Sequence, residues 1–281
     1  MKFPDTIQIP LDVWTDNAMD WVLLTFGWFF DALGTGILHF MLAVEKFFLW
    51  LPWPVLVVGT GLLAWRVMGK WWTGLIMAAM LFFMGTLGYW EMSMQTLSLV
   101  TSAVIVSLAI GIPLGILMAS SDPFESVIKP LLDGMQTMPS FVYLIPALML
   151  FGLGKVPALF ATIIYAVPPV IRLTNVGIRE VSPSVVEAAH AFGSSYWQIL
   201  FKVQIPLARP TIMVGVNQTT MMALAMVVIA SMIGAKGLGY EVLLAINRIE
   251  IGRGFEAGLC IVFMAIIIDR ITYAMATRKR A

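Results

Sequence analysis

Few residues of this chain are of types that catalyse reactions or bind metals, and their spacing argues against either role. Ser194 and Ser195 have no base beside them in the sequence that could activate a hydroxyl as a nucleophile. His190 is isolated, and a lone histidine is more often a solvated surface residue than a catalyst. The single cysteine, Cys260, lies in an apolar run, so neither a disulfide framework nor a thiolate metal site can form. We therefore predict that the chain is not an enzyme and holds no metal.

Three glycine-containing stretches have structural interpretations. "GLGKV", residues 152 to 156, has valine where a phosphate-binding loop needs a hydroxyl for Mg²⁺, which predicts no ATP hydrolysis by this chain. "GAKGLG", residues 234 to 239, follows no predicted strand and is typical of a turn. "GIPLG", residues 111 to 115, offers small residues that permit two helices to approach closely.

Residues 182 to 206 carry the local signals of a helical hairpin. Pro183 suits the first position of a helix, and the serine before it can cap the free amides. Gly193 can adopt the left-handed conformation that ends a helix. Ser195 and Gln198 have the spacing of a capping box, which predicts a second helix, ended by Pro206.

The first helix of this hairpin has an apolar face and no chemistry of its own. Four residues share that face at helical spacing: Val185, Ala188, Ala189 and Phe192. A helix, a turn and a helix can also read DNA. However, Lys202 is the only Lys or Arg from residue 180 to 208, too little to neutralise a phosphate backbone. We therefore predict no nucleic-acid partner and a helix that docks into a protein.

The stretch "EAAHAFGSSYWQILFKVQIP" resembles the EAA motif of ABC importer permeases, which is Glu-Ala-Ala, three residues, Gly, nine residues, then Ile-x-Leu-Pro. Five residues match that motif at the right spacing: Glu187, Ala188, Ala189, Gly193 and Pro206. In that family the first helix of the motif is the coupling helix. It inserts into a cleft of the ATP-hydrolysing subunit and transmits the closure of that subunit to the membrane helices. The resemblance implies this role here.

Further stretches, among them "LDGMQTMPSFVYLIPAL" and "MVVIASMIGAKGLGYEV", resemble the permease subunit of the glycine betaine, proline betaine and choline uptake systems. The likeness covers about residues 90 to 275. It implies the all-α transmembrane domain of a type I ABC importer, which works as two permeases, two ATPases and an external or lipid-anchored binding protein. ATP and Mg²⁺ would then be bound by the ATPases, and the cargo would be glycine betaine, choline, proline betaine or carnitine.

The composition is that of a polytopic membrane protein. Sixty per cent of the 281 residues are apolar, 12 per cent are charged, and the mean hydropathy is +0.91. A bilayer core about 30 Å thick needs about 20 apolar residues per helix. Seven spans are predicted, at about 48 to 66, 71 to 90, 97 to 119, 138 to 153, 156 to 173, 211 to 233 and 255 to 276. Prolines in the fourth and fifth predict bent or broken helices.

The distribution of Lys and Arg predicts the orientation. With the C-terminus in the cytoplasm, the inner connections and helix ends hold 11 of the 17 Lys and Arg residues but only 6 of the 16 Asp and Glu. The positive-inside rule therefore favours seven spans across the bacterial cytoplasmic (inner) membrane, with the N-terminus outside.

The chain divides into three parts on this interpretation. Residues 1 to 46 form an amphipathic segment on the outer face, 47 to 92 two accessory spans, and 93 to 281 the importer domain with its hairpin. In the first part, acidic and polar side chains lie on one side of a predicted helix and large apolar ones on the other. Helices that adhere to anionic cytoplasmic lipid are rich in Lys and Arg, so the acidic stripe favours the outer side.

The sixth span contains the candidate residues of a translocation path: Asn217, Gln218, Met221 and Met222. Amides contact polar solutes and methionines form adaptable surfaces, although ordinary packing is the simpler alternative. Asp269 and Arg270 lie near the cytoplasmic end of the last span, where an interfacial anchor is favoured over an intramembrane charge.

Three other functions were weighed. An ion-coupled secondary carrier of small polar solutes needs coupling charges at mid-membrane and usually an internal repeat, and no confident span has a carboxylate at its middle. A membrane scaffold without transport would not need proline-broken helices or a docking hairpin. An ABC permease for another small solute, such as an amino acid, stays open.

Overall fold

The computed structural model describes residues 10 to 277, and every regular element within that range is a helix. The α-helices are α1 Leu11–Trp50, α2 Trp53–Met68, α3 Trp71–Thr86, α4 Trp90–Ser120, α5 Asp122–Thr137, α6 Leu144–Phe151, α7 Lys155–Arg179, α8 Pro183–Ala191, α9 Tyr196–Ile199, α10 Ile205–Ser231, α11 Leu238–Arg248 and α12 Ile251–Thr277. A 3₁₀ turn, Ser140–Tyr143, precedes α6, and a π-helical turn, Leu200–Gln204, joins α9 to α10.

Five helices in this range are long and apolar enough to cross a membrane: α1, α4, α7, the continuous run from α9 to α10, and α12. The predicted spans at 97 to 119, 156 to 173, 211 to 233 and 255 to 276 correspond to the last four. The second predicted span corresponds to α3, which ends at Thr86. Both α2 and α3 are apolar, and each has only 16 residues.

The span predicted at 48 to 66 begins too early. Residue Trp50 is the last residue of α1, the chain breaks at Leu51 and Pro52, and α2 starts at Trp53. The proposed boundary at residue 46 therefore falls inside a helix. Proline cannot donate the backbone hydrogen bond that would continue α1, and it suits the residue before a new helix, so the break lies at Pro52.

A sharp bend lies at the start of the fourth predicted span, and the fifth is unbroken. α5 and the segment Ser140–Phe151 are bent by 109° relative to each other, with Pro139 at the break. By contrast α7 runs unbroken through Pro168 and Pro169, which are both buried. Neighbouring helices can cover the carbonyls that these prolines leave without donors, which is the condition for an intact membrane helix.

α7 is the centre of the bundle, packed between α4 and α10. The contact with α4 depends on the two glycines of "GIPLG", as predicted. A Cβ atom added at Gly111 would lie 2.4 Å from Val170 Cγ1, and one at Gly115 would lie 2.5 Å from Thr174 Cβ. Since real Cβ atoms do not approach other carbons so closely, the absence of side chains sets the distance between these helices.

α1 is longer than the amphipathic segment predicted from the sequence, and only its second half packs against the bundle. Phe30 contacts Phe151 with ring centroids 6.0 Å apart, and Glu45 forms an ion pair with Lys155 at the start of α7. The first half leaves three tryptophans exposed at heptad spacing: Trp14, Trp21 and Trp28.

Candidate coupling and translocation sites

The hairpin predicted at 182 to 206 is present. α8 is followed by Gly193 with a φ of +76°, the left-handed conformation that glycine adopts without strain. Ser195 then opens α9 in a capping box, in which the Ser195 backbone amide donates to Gln198 Oε1 at 2.9 Å. These three local features turn the chain back toward the membrane within a few residues.

Two details of the hairpin differ from the prediction. The Ser182 hydroxyl does not cap α8 but shares a hydrogen bond of 2.8 Å with the Ser184 hydroxyl. Pro206 does not end the second helix, because α10 continues through it to Ser231. The π-helical turn at Leu200–Gln204 directly precedes this proline, and its wider backbone relieves the clash that proline causes in a regular α-helix.

The apolar face of α8 is turned to solvent. Phe192 at its end is 91% exposed and Val185 is 41% exposed. Glu187 and Ala188 are exposed as well, and Ala189 is half-buried. A short helix that leaves its own apolar residues uncovered is unusual in a free-standing subunit and typical of an interaction site.

The base of the hairpin is fixed firmly to the bundle. The hydroxyl groups of Tyr196 in α9 and Ser120 at the end of α4 lie 2.6 Å apart. An apolar cluster beneath them joins the end of α7 to α10, and its buried members are Ile178, Val181, Leu200, Ala208 and Ile212. The hairpin is therefore joined to α4, α7 and α10 by packed and hydrogen-bonded contacts.

Arg179, the last residue of α7, connects three helices next to the hairpin. Its Nη1 lies 2.7 Å from Asp122 Oδ1 and its Nη2 lies 3.0 Å from Glu125 Oε2, both in α5. Nη2 also donates to the Met118 carbonyl of α4 at 2.8 Å, and Nε donates to Asn175 Oδ1 at 3.0 Å. We name these five residues the Arg179 cluster.

The Arg179 cluster is internally closed, and a second ion pair lies near it. Asn175 Nδ2 donates to Glu125 Oε1 at 2.8 Å, which completes a ring of polar contacts between α5 and α7. Farther along the same two helices, Arg172 Nη2 in α7 lies 2.6 Å from Asp133 Oδ1 in α5. Arg179 has no local sequence signal, because its acidic partners lie in another helix and no regular spacing relates them to it.

The four candidate path residues of α10 point in different directions. Asn217 faces α12, where its Nδ2 donates to Asp269 Oδ1 at 2.9 Å and its Oδ1 accepts from Thr272 Oγ1 at 2.6 Å. Met222 is half-buried against the core. Gln218 and Met221 are exposed. The structure thus brings Gln218 and Met221 together and separates them from the other two.

Gln218 and Met221 belong to one exposed stripe along α10. Its members recur at helical spacing, four of them in α10 and the last one directly after it: Val214, Gln218, Met221, Ala225 and Met232. An amide in the middle of a membrane helix is costly when it faces lipid, so this stripe is suited to a polar passage or to a second protein surface.

The opposite end of the bundle is closed by turns. The Gly154 amide donates to the Ile233 carbonyl at 2.8 Å, and the Leu238 amide donates to Thr96 Oγ1 at 2.8 Å. A Cβ at Gly237 would lie 2.5 Å from the same Thr96 oxygen. The stretch "GAKGLG" is therefore the turn that the sequence predicts, and it has a structural function.

α11 is anchored beside this turn by a buried carboxylate. Glu241 accepts from Arg253 of α12, with Nη2 at 2.6 Å and Nε at 2.8 Å from Oε2. Glu250 lies 3.2 Å from Nη1 of the same guanidinium. Burial, together with the negative charges of Glu256 and Glu241, raises the pKa of the nearby Tyr89 phenol, so this tyrosine stays neutral at physiological pH.

The sequence of the chain is similar to those of known transport proteins. The family model of the binding-protein-dependent transport system inner membrane component matches residues 111 to 281. The glycine betaine/carnitine transport permease protein GbuB of Listeria monocytogenes is 46% identical over 287 residues, which covers 99% of this chain and 99% of the relative. The glycine betaine/proline betaine transport system permease protein ProW of Escherichia coli is 45% identical over 273 residues, 97% of this chain and 77% of the relative.

Solved structures support the fold class. Inward-facing structures of the MetNI methionine ABC transporter include a chain that is similar with a TM-score of 0.57 and 20% identity, over 66% of this chain and 94% of that one. The predicted all-α fold of a type I importer transmembrane domain is confirmed, and an ion-coupled carrier is not favoured. With a family model across more than half of its length, the chain belongs to the inner membrane components of binding-protein-dependent transport systems, which are permease subunits and not enzymes.

Proposed function

We propose that this chain is the permease subunit of an ATP-driven importer for quaternary ammonium compatible solutes, with ATP and Mg²⁺ bound by a separate ATPase. The observation that carries the coupling part is the hairpin, which has a firmly fixed base and an uncovered apolar helix. The names of the relatives supply the cargo: glycine betaine and proline betaine for one, glycine betaine and carnitine for the other.

The coupling role is assigned to the motif residues, each for a physical reason. Phe192 and the alanines of α8 offer a compact apolar surface that an ATPase cleft can bury, and Glu187 lies exposed beside it. Gly193 ends the helix in the left-handed conformation. Pro206 follows the π-helical turn at the point where the hairpin becomes a membrane helix, and π-helical turns often occur at functional positions. Motion of α8 would enter the bundle there and through the Arg179 cluster.

The path is assigned to the exposed stripe of α10, which a second copy of the chain would complete. Gln218 and Met221 would face the passage, while Asn217 and Met222 hold α10 against its neighbours. A conduit must bind its cargo weakly enough to release it. The stripe suits this requirement because its polar member is a neutral amide, and none of its five residues is charged.

We assign the hairpin end to the cytoplasm and the end with "GAKGLG" to the outside, where a binding protein would dock. The excess of Lys and Arg near the hairpin end supports this orientation. The first half of α1 would lie along the outer surface, with its three exposed tryptophans in the lipid headgroup region and its aspartates toward water.

The test is reconstitution. The permease, its ATPase and its binding protein are placed in proteoliposomes, and uptake of labelled glycine betaine is compared with and without internal ATP while ion gradients are collapsed. We expect uptake that requires ATP and persists without gradients. Uptake that disappears with the gradients while ATP is present would contradict the mechanism, and uptake restricted to amino acids would contradict the cargo.

A further inference from the structure

A cavity of about 380 Å³ lies between the ends of α2, α3 and α4, away from the hairpin and from the stripe of α10. Half of its lining residues are aromatic: Trp53, Val57, Phe82, Gly85, Thr86 and Trp90. None of these six side chains is charged. The cavity is large enough for a small organic cation of the size of tetramethylammonium or choline.

Two of the three rings lie against each other. The centroids of Trp53 and Phe82 lie 6.1 Å apart, with the ring planes inclined at 49°. Both side chains remain about half exposed, Trp53 at 54% and Phe82 at 50%. The third ring, Trp90, packs beside Gly85, since a Cβ atom at that glycine would lie 3.5 Å from Trp90 Cε3. A larger residue at position 85 would therefore occupy the cavity beside Trp90.

The cavity lies at the ends of its helices, not at their middle. Trp53 is the first residue of α2, Thr86 is the last residue of α3, and Trp90 is the first residue of α4. A helix of 16 residues is about 24 Å long and does not cross the roughly 30 Å hydrocarbon core alone, so its tryptophans indicate which of its ends lies near the lipid headgroups. Tryptophan favours that depth. Lipid acyl chains lie deeper.

We propose that this cavity binds a trimethylammonium group. The faces of tryptophan and phenylalanine carry negative electrostatic potential and attract a quaternary cation, which cannot form hydrogen bonds and so loses little on leaving water. The absence of Lys and Arg from the lining removes repulsion, and the Thr86 hydroxyl adds a polar rim. An open cavity lined by three aromatic residues and no carboxylate is suited to weak, reversible binding.

Two sources offer this chemistry, a free solute and the headgroup of a choline lipid. The site differs from the proposed path, and it can be measured without ATPase, binding protein or transport. Its failure would therefore leave the proposed transport function intact, and failure of transport would leave the site intact.

The experiment uses the full-length chain in nanodiscs of phosphatidylethanolamine and phosphatidylglycerol, with labelled choline as the probe. Competition by 3,3-dimethylbutanol, a neutral molecule of the same shape, separates cation recognition from apolar filling. We expect choline to bind about tenfold more tightly than the neutral analogue, in line with cation–π contacts to more than one half-exposed ring. Equal binding of the two molecules, or no binding of choline, would overturn the proposal.

Variants locate the site. Trp53→Leu and Trp90→Leu each remove a ring, and Gly85→Leu fills the cavity while all rings stay, so each should weaken choline binding about tenfold. Trp14→Leu, which removes an exposed tryptophan of α1, should leave binding unchanged. If the cavity variants bind choline like the unmodified chain while Gln218→Ala does not, choline occupies the α10 stripe and the proposal is wrong.

The lipid composition identifies the source. When phosphatidylcholine replaces phosphatidylethanolamine, loss of choline binding means that lipid headgroups occupy the cavity, whereas unchanged binding means that it prefers free solutes. Either result supports a trimethylammonium site, provided that the cavity variants have behaved as expected.

Discussion

The centre of the bundle and the hairpin are built in opposite ways. Where α7 meets α4, glycines at 111 and 115 bring backbones into contact and leave no space for a methyl group. In α8 the apolar side chains are uncovered, and a Cβ at Gly193 would meet nothing within 4 Å. Packing therefore specifies the first region, and a partner must complete the second. The junction between them combines the apolar cluster around Leu200 with polar contacts, which are the Arg179 cluster and the hydrogen bond between Tyr196 and Ser120.

The largest effect is expected at the centre of the bundle. In Gly115→Leu the new side chain would meet Thr174 Cβ at 2.5 Å and the Ile171 carbonyl oxygen at 2.7 Å. The cost should reach or exceed the 1–3 kcal/mol, roughly, of an overpacked core. The amount of folded permease in membranes and its thermal stability in detergent should both fall. Gly36→Leu is the control, because a Cβ there meets nothing within 4 Å, and it should leave both unchanged.

At the hairpin, Gly193→Val should abolish most transport without preventing membrane insertion. There is space for the side chain, but a φ of +76° is a strained conformation for a β-branched residue, at a cost of about 1–3 kcal/mol. Gly193→Asn should retain most activity, since asparagine tolerates this conformation. The measurement is uptake and ATP hydrolysis in proteoliposomes that contain equal amounts of permease. Full transport by the valine variant would contradict a role for the turn.

At the junction, Arg179→Gln should reduce the number of solutes moved per ATP hydrolysed several-fold. Two ion pairs and the contact with Met118 are lost, yet Asp122 is largely exposed, so the loss of stability should be only about 1 kcal/mol. Arg179→Lys keeps the positive charge but lacks the branched guanidinium that contacts three helices. It should therefore restore little of the transport per ATP. Arg248→Gln, at a surface pair 3.9 Å from Glu250, is the control. A parallel fall in transport and ATP hydrolysis, with their ratio unchanged, would assign Arg179 a structural role only.

The smallest effects are expected along α10. Gln218→Ala should change the apparent KM of uptake about two- to fivefold and leave thermal stability unchanged, because its side chain is exposed. Asn217→Ala should lower thermal stability and leave the apparent KM of uptake unchanged. It removes two hydrogen bonds to Asp269 and Thr272 and should cost about 1–3 kcal/mol. If Asn217→Ala changes KM while stability is kept, the assignment of the two amides is reversed.

These contrasts follow what sequence can and cannot specify. The turn of the hairpin was predictable residue by residue. Pro183, Gly193 and the capping box each determine the backbone conformation only of residues close to them in the sequence. Pro206 was misjudged, since a π-helical turn that accommodates a proline has no local signature. The partner of Asn217 lies in α12, far along the chain, and composition alone cannot decide which side of an apolar helix faces a neighbour.

The bend at Pro139 and the intact α7 illustrate the same limit. Prolines predicted bent or broken helices in the fourth and fifth spans. A bend lies at the start of the fourth, whereas α7, which is the fifth, is intact, and the difference is tertiary. Pro168 and Pro169 are buried between other helices, whereas Pro139 lies at a sharp bend. Whether a proline breaks a membrane helix depends on the neighbours that satisfy the backbone, and a single sequence does not show them.

The central claim is that α8 docks into a partner ATPase, and site-directed crosslinking tests it most directly. The only native cysteine, Cys260, is buried, so a single introduced cysteine can be labelled selectively. In membranes that contain the assembled transporter, Phe192→Cys should crosslink to the ATPase subunit, with a yield that changes when ATP is added. Leu24→Cys, equally exposed but on α1, should give no such product. Absence of the crosslink from position 192, or equal yields from both positions, would contradict the account.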